Sequence, residues 1–154
     1  MKKLSIIIFF VVFAVVSACH KDSKVIPQDF YFRARKNNAG WGAVTIITKD
    51  PGDSLRISAF DSAGGDHLDI DIKFTGVGTY PIQLGQARYL TNLDFNPPTS
   101  EYRVDTNSKS SLNIISYDAK NKIITGTGNI FFLKNTIDYV QLTFSAVTFR
   151  GKLP

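Results

Sequence analysis

A histidine and two aspartates stand at alternate positions near the middle of the chain. They are His67, Asp69 and Asp71, with Leu68, Ile70 and Ile72 as the residues between and after them. In a β-strand the three polar side chains project to one face and the three apolar ones to the other. One imidazole and two carboxylates on a single surface can hold a divalent cation or form an acid/base pair. The plainer alternative is a half-buried strand with a polar outer face, which alternation alone produces. A metal site would also need a further ligand from a neighbouring strand, and spacing does not supply one. Asp61, Asp66 and the pair Gly64 and Gly65 offer turn oxygens of the kind calcium takes, but they match no EF-hand spacing.

Other catalytic signatures are missing from the sequence. There is no Gly-x-Ser-x-Gly elbow, His-Glu-x-x-His or phosphate-binding loop. Of the two histidines, His20 lies beside the only cysteine, so a serine triad would have to use His67. No cofactor is expected. The remaining resource is aromatic: Trp41, Tyr80, Tyr89, Phe95 and Tyr102 fall at or near turns. There they either stack on a sugar ring or anchor a protein contact, or close the ends of a β-structure.

The elements that would position these residues are short strands. From Val25 onward the chain is rich in Ile, Val, Phe, Tyr and Thr, punctuated by Gly, Asn, Asp and Pro, and no window sustains a helical period. The alternation predicts strands over 30–35, 41–49, 54–60, 67–74, 79–84, 87–93, 101–105, 110–117, 122–133 and 139–150. Pro81 cannot donate to a ladder, so its strand belongs at an edge or a bulge. In the last strand Val140, Leu142 and Phe144 share one phase while Val147 and Phe149 share the other. A β-bulge near Ser145 and Ala146 puts both sets inward. Nine or ten antiparallel strands predict an all-β domain, a sandwich or a partly closed barrel, with uneven turn lengths favouring the sandwich.

The first nineteen residues address a different question. Lys2 and Lys3 precede an apolar run over 4–16, broken only by Ser5, and Val16, Ser17, Ala18 and Cys19 close it. The layout is that of a secretory signal, and its end resembles a bacterial lipobox. That resemblance implies cleavage before Cys19 and lipidation of its thiol and new amine. The run is shorter than the roughly 20 apolar residues of a spanning helix. Several acyl chains, at ~0.8 kcal/mol per buried CH₂, hold where one chain holds only marginally. The expected organisation is a signal over 1–18, a lipidated tether over 19–28 and one β domain over 29–154. The tether can hold the domain about 30 Å from the membrane. A lone thiol forms no internal disulfide. The whole chain carries +5, of which Lys2 and Lys3 supply two, so the part after residue 18 carries +3. That balance is mild, its cations are scattered, and no nucleic-acid partner is expected.

Phe32, Ala34, Gly40 and Trp41, then Gly78, Thr79, Tyr80 and Pro81, then Ile124, Gly126, Thr127 and Phe131 give the chain its likeness to a known group. It resembles a family of small Bacteroidota lipoproteins described as domains of unknown function. The resemblance implies a β fold and a lipid anchor, and carries no reaction with it. The expectation is therefore a non-enzymatic lipoprotein of the cell envelope, at the outer membrane in either its periplasmic or its surface leaflet. It would be held by lipid on Cys19 and bind an envelope protein, a glycan or an extracellular ligand, with Trp41, Tyr80, Tyr89 and Tyr102 as candidate contacts. The competing readings are a metal-assisted hydrolase using His67, Asp69 and Asp71, and an accessory subunit of an envelope complex.

Overall fold

A computed structural model describes residues 30–50, 54–61, 65–92, 100–134 and 140–154. No helix occurs among the described residues. The strands are β1 (Tyr31–Lys36), β2 (Ala39–Asp50), β3 (Ser54–Phe60), β4 (His67–Lys73), β5 (Gly78–Pro81), β6 (Ala87–Thr91), β7 (Ser100–Val104), β8 (Ser111–Asp118), β9 (Ile123–Lys134) and β10 (Gln141–Lys152). Eight of them close into an antiparallel barrel in the order β10-β1-β2-β3-β4-β6-β7-β9, with β9 returning to β10. β8 and β5 lie outside the ring. Of the two architectures the sequence leaves open, the barrel is the one formed, because the first and tenth strands pair with each other.

The division of labour along β9 explains the two outer strands. One edge of β9 pairs with β10 along almost its whole length. The other edge pairs with β7 at Phe132 to Lys134 and with β8 at Ile123 to Asn129. The change of partner occurs at Phe131. Its carbonyl accepts the Asp105 N–H at 2.8 Å, and its N–H donates to Ser110 Oγ at 3.0 Å. Between them the Asp105 carboxylate caps the turn, accepting from Asn107 N at 2.9 Å and Ser108 Oγ at 2.6 Å. Pro81 then sits in β5, an edge strand paired only to β8, where its missing donor breaks no ladder.

Alternation fills the interior. Phe32, Trp41, Tyr89, Phe132, Phe144 and Phe149 are buried together with Leu55, Ile57, Leu68, Ile70, Ile72 and Ile130. An eight-stranded barrel has room for little more than its own side chains. Trp41 meets Phe144 edge-on at 5.1 Å and Phe32 at 5.8 Å, and Phe32 stacks on Phe149 at 6.2 Å. Such geometry adds ~0.5–1.5 kcal/mol per pair beyond area burial.

Two local devices keep this interior in register. The β9–β10 pairing shifts between Phe144 and Val147, so Ser145 and Ala146 form the expected bulge, with Ala146 at φ 49°. Leu142 and Phe144 before it, and Val147 and Phe149 after it, are all buried. Asn129 Oδ1 takes the Ala146 N–H at 3.1 Å. At the same end of the β1–β10 pair, Asn37 (φ 48°) and Asn38 (φ 68°) make a two-residue hairpin turn. Both central residues need positive φ there, which asparagine tolerates better than most residues.

Candidate functional site

β4 places His67, Asp69 and Asp71 on the outer face of the barrel, as its alternation requires, while Leu68, Ile70 and Ile72 point inward. Cross-strand register then decides what the carboxylates meet. Asp71 lies opposite Arg56 and accepts from Arg56 Nη2 at 3.1 Å and Ser54 Oγ at 2.7 Å. Asp69 lies between Ser58 and Arg88, accepting from Ser58 Oγ at 2.7 Å and Arg88 Nε at 3.0 Å. His67 stacks on Phe60 with ring centroids 4.1 Å apart. Its Nε2 is 2.8 Å from Asp69 Oδ1, but without the alignment of a hydrogen bond, so that buried nitrogen has no hydrogen-bond partner. Burial raises the Asp69 pKa, yet the Ser58 hydroxyl and the charges of His67 and Arg88 outweigh it and hold the carboxyl below its ordinary value. The three residues do share a face. Their acids are already matched to two guanidinium groups and two hydroxyls, and no group of three or more His, Cys, Asp or Glu that could hold a metal occurs among the described residues.

The aromatic candidates divide. Trp41 and Tyr89 are core residues, 7% and 1% exposed. Tyr102 packs half-buried against Tyr89 at 5.8 Å. Tyr80 belongs to the outer strands, where its hydroxyl donates to the Gly76 carbonyl at 2.6 Å and its ring stacks on Phe74. Phe95 lies outside the described residues, as do Cys19 and residues 62–64 of the Asp61 to Asp66 loop.

Near the end of the barrel where β1 turns into β2, Tyr89 takes part in a compact polar cluster. Lys36 Nζ donates to Asp66 Oδ2 at 2.8 Å and to Tyr89 Oη at 2.9 Å, and the Tyr89 hydroxyl donates to the same Asp66 oxygen. Lys36 also stands 5.3 Å from the Tyr89 ring centre. Burial, followed by the Asp66 hydrogen bond and the Asp66 and Asp61 charges, pushes the Tyr89 phenol far above its ordinary pKa. It remains a neutral donor at any ordinary pH. Asp66, expected as a turn residue, is thus a buried anchor of the barrel mouth.

The opposite end carries a feature that no single stretch of sequence announces. A groove of about 1010 Å³ is lined by Lys120, Lys122, Arg150 and Lys152, together with Phe30, Ile47, Ile123 and Leu153. Every charged side chain lining it is cationic. β10 supplies Arg150 and Lys152 from its outward positions, and the turn from β8 to β9 supplies Lys120 and Lys122. That turn is fixed by Asp118, which accepts from Lys120 N and Asn121 N at 3.0 Å and from Asn121 Nδ2 at 2.7 Å. These contacts, the Asn121 backbone bond first, hold the Asp118 carboxyl below its ordinary pKa. Lys122 Nζ donates to the Pro154 carbonyl at 2.7 Å. Among the described residues no acid pairs with Lys120, Arg150 or Lys152, and Arg150 Nε is buried without any hydrogen-bond partner. The available signal was the spacing of two basic pairs, 120 with 122 and 150 with 152, at the ends of neighbouring strands.

Comparison of the chain with protein-family models, with curated proteins and with solved structures found no match in any of the three.

Proposed function

We propose that the chain is a non-enzymatic lipoprotein of the outer membrane, held by lipid on Cys19, that binds an anionic component of the cell envelope in the basic groove. The observation carrying this reading is the groove: four cations around an apolar floor, none of them paired with an acidic side chain among the described residues. A cationic concavity of this kind concentrates anions by its field before any contact is made. The groove also lies where the chain enters the domain, since Phe30 is one of its walls. The lipobox-like end of the leading segment and the barrel's self-sufficient core support an anchored scaffold without disulfides. The hydrolase reading draws less support, because the carboxylates it needs are occupied by Arg56, Arg88, Ser54 and Ser58.

The test uses the mature chain carrying Cys19→Ala. Saturable binding to an acidic polysaccharide or a phosphate-bearing ligand, lost on combining Lys120→Gln with Lys152→Gln, is the expected result. Turnover of an ester, glycan or peptide substrate that disappears in His67→Ala would sink the proposal and restore the hydrolase.

A further inference from the structure

Arg150 differs in its surroundings from the other arginines of the outer barrel wall. Arg33 and Arg35 also lack an acid among the described residues, but they are exposed, with no buried donor left unmade. Arg56, Arg88 and Arg103 each face a carboxylate, at 3.1, 3.0 and 3.2 Å. Arg150 has no acid, and its Nε is closed off from water with nothing to donate to. A buried donor left unmade is costly, and a guanidinium presents a planar fork that matches the oxygens of a phosphate group. The strand holding it is rigid on both sides, with Arg150 paired to Tyr31 of β1 and to Thr125 of β9. The side chain is therefore mounted on the sheet rather than on a loop, with Lys152 two positions on along the same face.

The rest of the lining narrows the ligand. A free phosphate ion needs the cations but gains nothing from Phe30, Ile47, Ile123 and Leu153, four of the ten residues that line the groove. An amphiphile with an anionic head and hydrocarbon tails uses both. Lysine and arginine suit such a boundary, because their stems lie on apolar surface while the charged heads reach outward. Position points the same way. Ten residues lie between Cys19 and Phe30, so a lipid-anchored chain reaches the groove within roughly 40 Å of the bilayer surface.

We propose that the groove seats the phosphate-bearing headgroup of an anionic membrane lipid, with Arg150 as the central phosphate ligand and Lys120, Lys122 and Lys152 around it. The barrel then stands on the membrane on its groove end and turns the Lys36, Asp66 and Tyr89 end away from the bilayer. This rests on the reading of the groove as an anion site, and adds to it the chemical class of the anion and the orientation of the domain.

The mature chain with Cys19→Ala, which removes the anchor, is mixed with phosphatidylcholine vesicles and with the same vesicles containing phosphatidylglycerol or cardiolipin. Inorganic phosphate and an acidic polysaccharide are titrated separately. The expected result is sedimentation with the anionic vesicles only. Affinity should fall at least about tenfold in Arg150→Gln and about fivefold in Lys120→Gln or Lys152→Gln, and should weaken steeply between about 0.1 M and 1 M salt. Arg150→Lys keeps the charge without the fork and should fall between wild type and Arg150→Gln. Should Arg150→Gln fail to fold, Lys152→Glu reverses a charge at an exposed position and should abolish vesicle binding alone. Equal binding to neutral vesicles, or binding indifferent to these substitutions, overturns the proposal. If polysaccharide or phosphate binds through Arg150 while anionic vesicles do not, the lipid assignment falls and the broader anion-binding reading stands. If nothing binds through the groove, both fall.

Discussion

Lys36, Asp66 and Tyr89 illustrate what the residue scale decides in this protein. Removing Lys36 leaves a carboxylate that is only 11% exposed without its cation. Lys36→Met is expected to cost about 2–3 kcal/mol in urea unfolding, less than the ~3–5 of a fully buried pair because the lysine itself is 30% exposed. Tyr89→Phe removes one donor and should cost about 1–2 kcal/mol. Asp69 gives a pH prediction with a definite sign. Its carboxyl lies below its ordinary value in the folded state, so its contribution is present above the unfolded pKa of ~3.9 and is lost as pH falls from there through the folded value. Arg88→Gln should therefore lower stability in the neutral region, where that contribution is present, and flatten the acid limb of a stability-versus-pH curve below about pH 4, so that variant and wild type converge at low pH. The shared face of His67, Asp69 and Asp71 was legible in the sequence because a strand has period two. Their partners Ser58, Arg56 and Arg88 were not, since nothing local sets the register between β3, β4 and β6.

At the scale of elements the chain is more readable. All ten strands lie where alternation puts them, with ends differing by a few residues, and the phase change between Phe144 and Val147 identified the bulge that the structure contains. Deleting Ala146 removes the extra residue and turns Val147 and Phe149 outward. The expected result is loss of the cooperative thermal transition by circular dichroism. β9 depends on a second kind of fit. A Cβ on Gly126 would stand 2.5 Å from Phe149 Cε1 and 2.6 Å from the Asn113 carbonyl oxygen. Gly126→Ala should destabilise by about 1–3 kcal/mol, measured as a lowered urea midpoint with an unchanged slope. What the strands did not disclose was their closure. The β1–β10 pairing joins segments more than a hundred residues apart, and the departure of β8 from the barrel turns on the Asp105, Ser110 and Phe131 contacts, which no periodicity records.

For the whole molecule, the proposed anchor and the groove act at the same end. Cys19→Ala should move the protein from the membrane pellet to the soluble fraction, and intact mass should show acyl groups on the wild-type residue. Release that is complete at high salt but partial at low salt would reveal the groove acting as a second, electrostatic attachment. The groove stayed hidden in the sequence because its lining comes from four separated segments, around Phe30, Ile47, the 120–123 turn and the end of β10. The pairing of β1 with β10 also governs timing. A chain that emerges with its N-terminus first presents β1 long before its neighbour exists. Until the tenth strand arrives, β1 and β9 expose unpaired edges of the kind that recruit other chains. Closing so distant a contact is slow. The interval between synthesis of Tyr31 and of Arg150 is therefore the window in which this protein needs protection from aggregation.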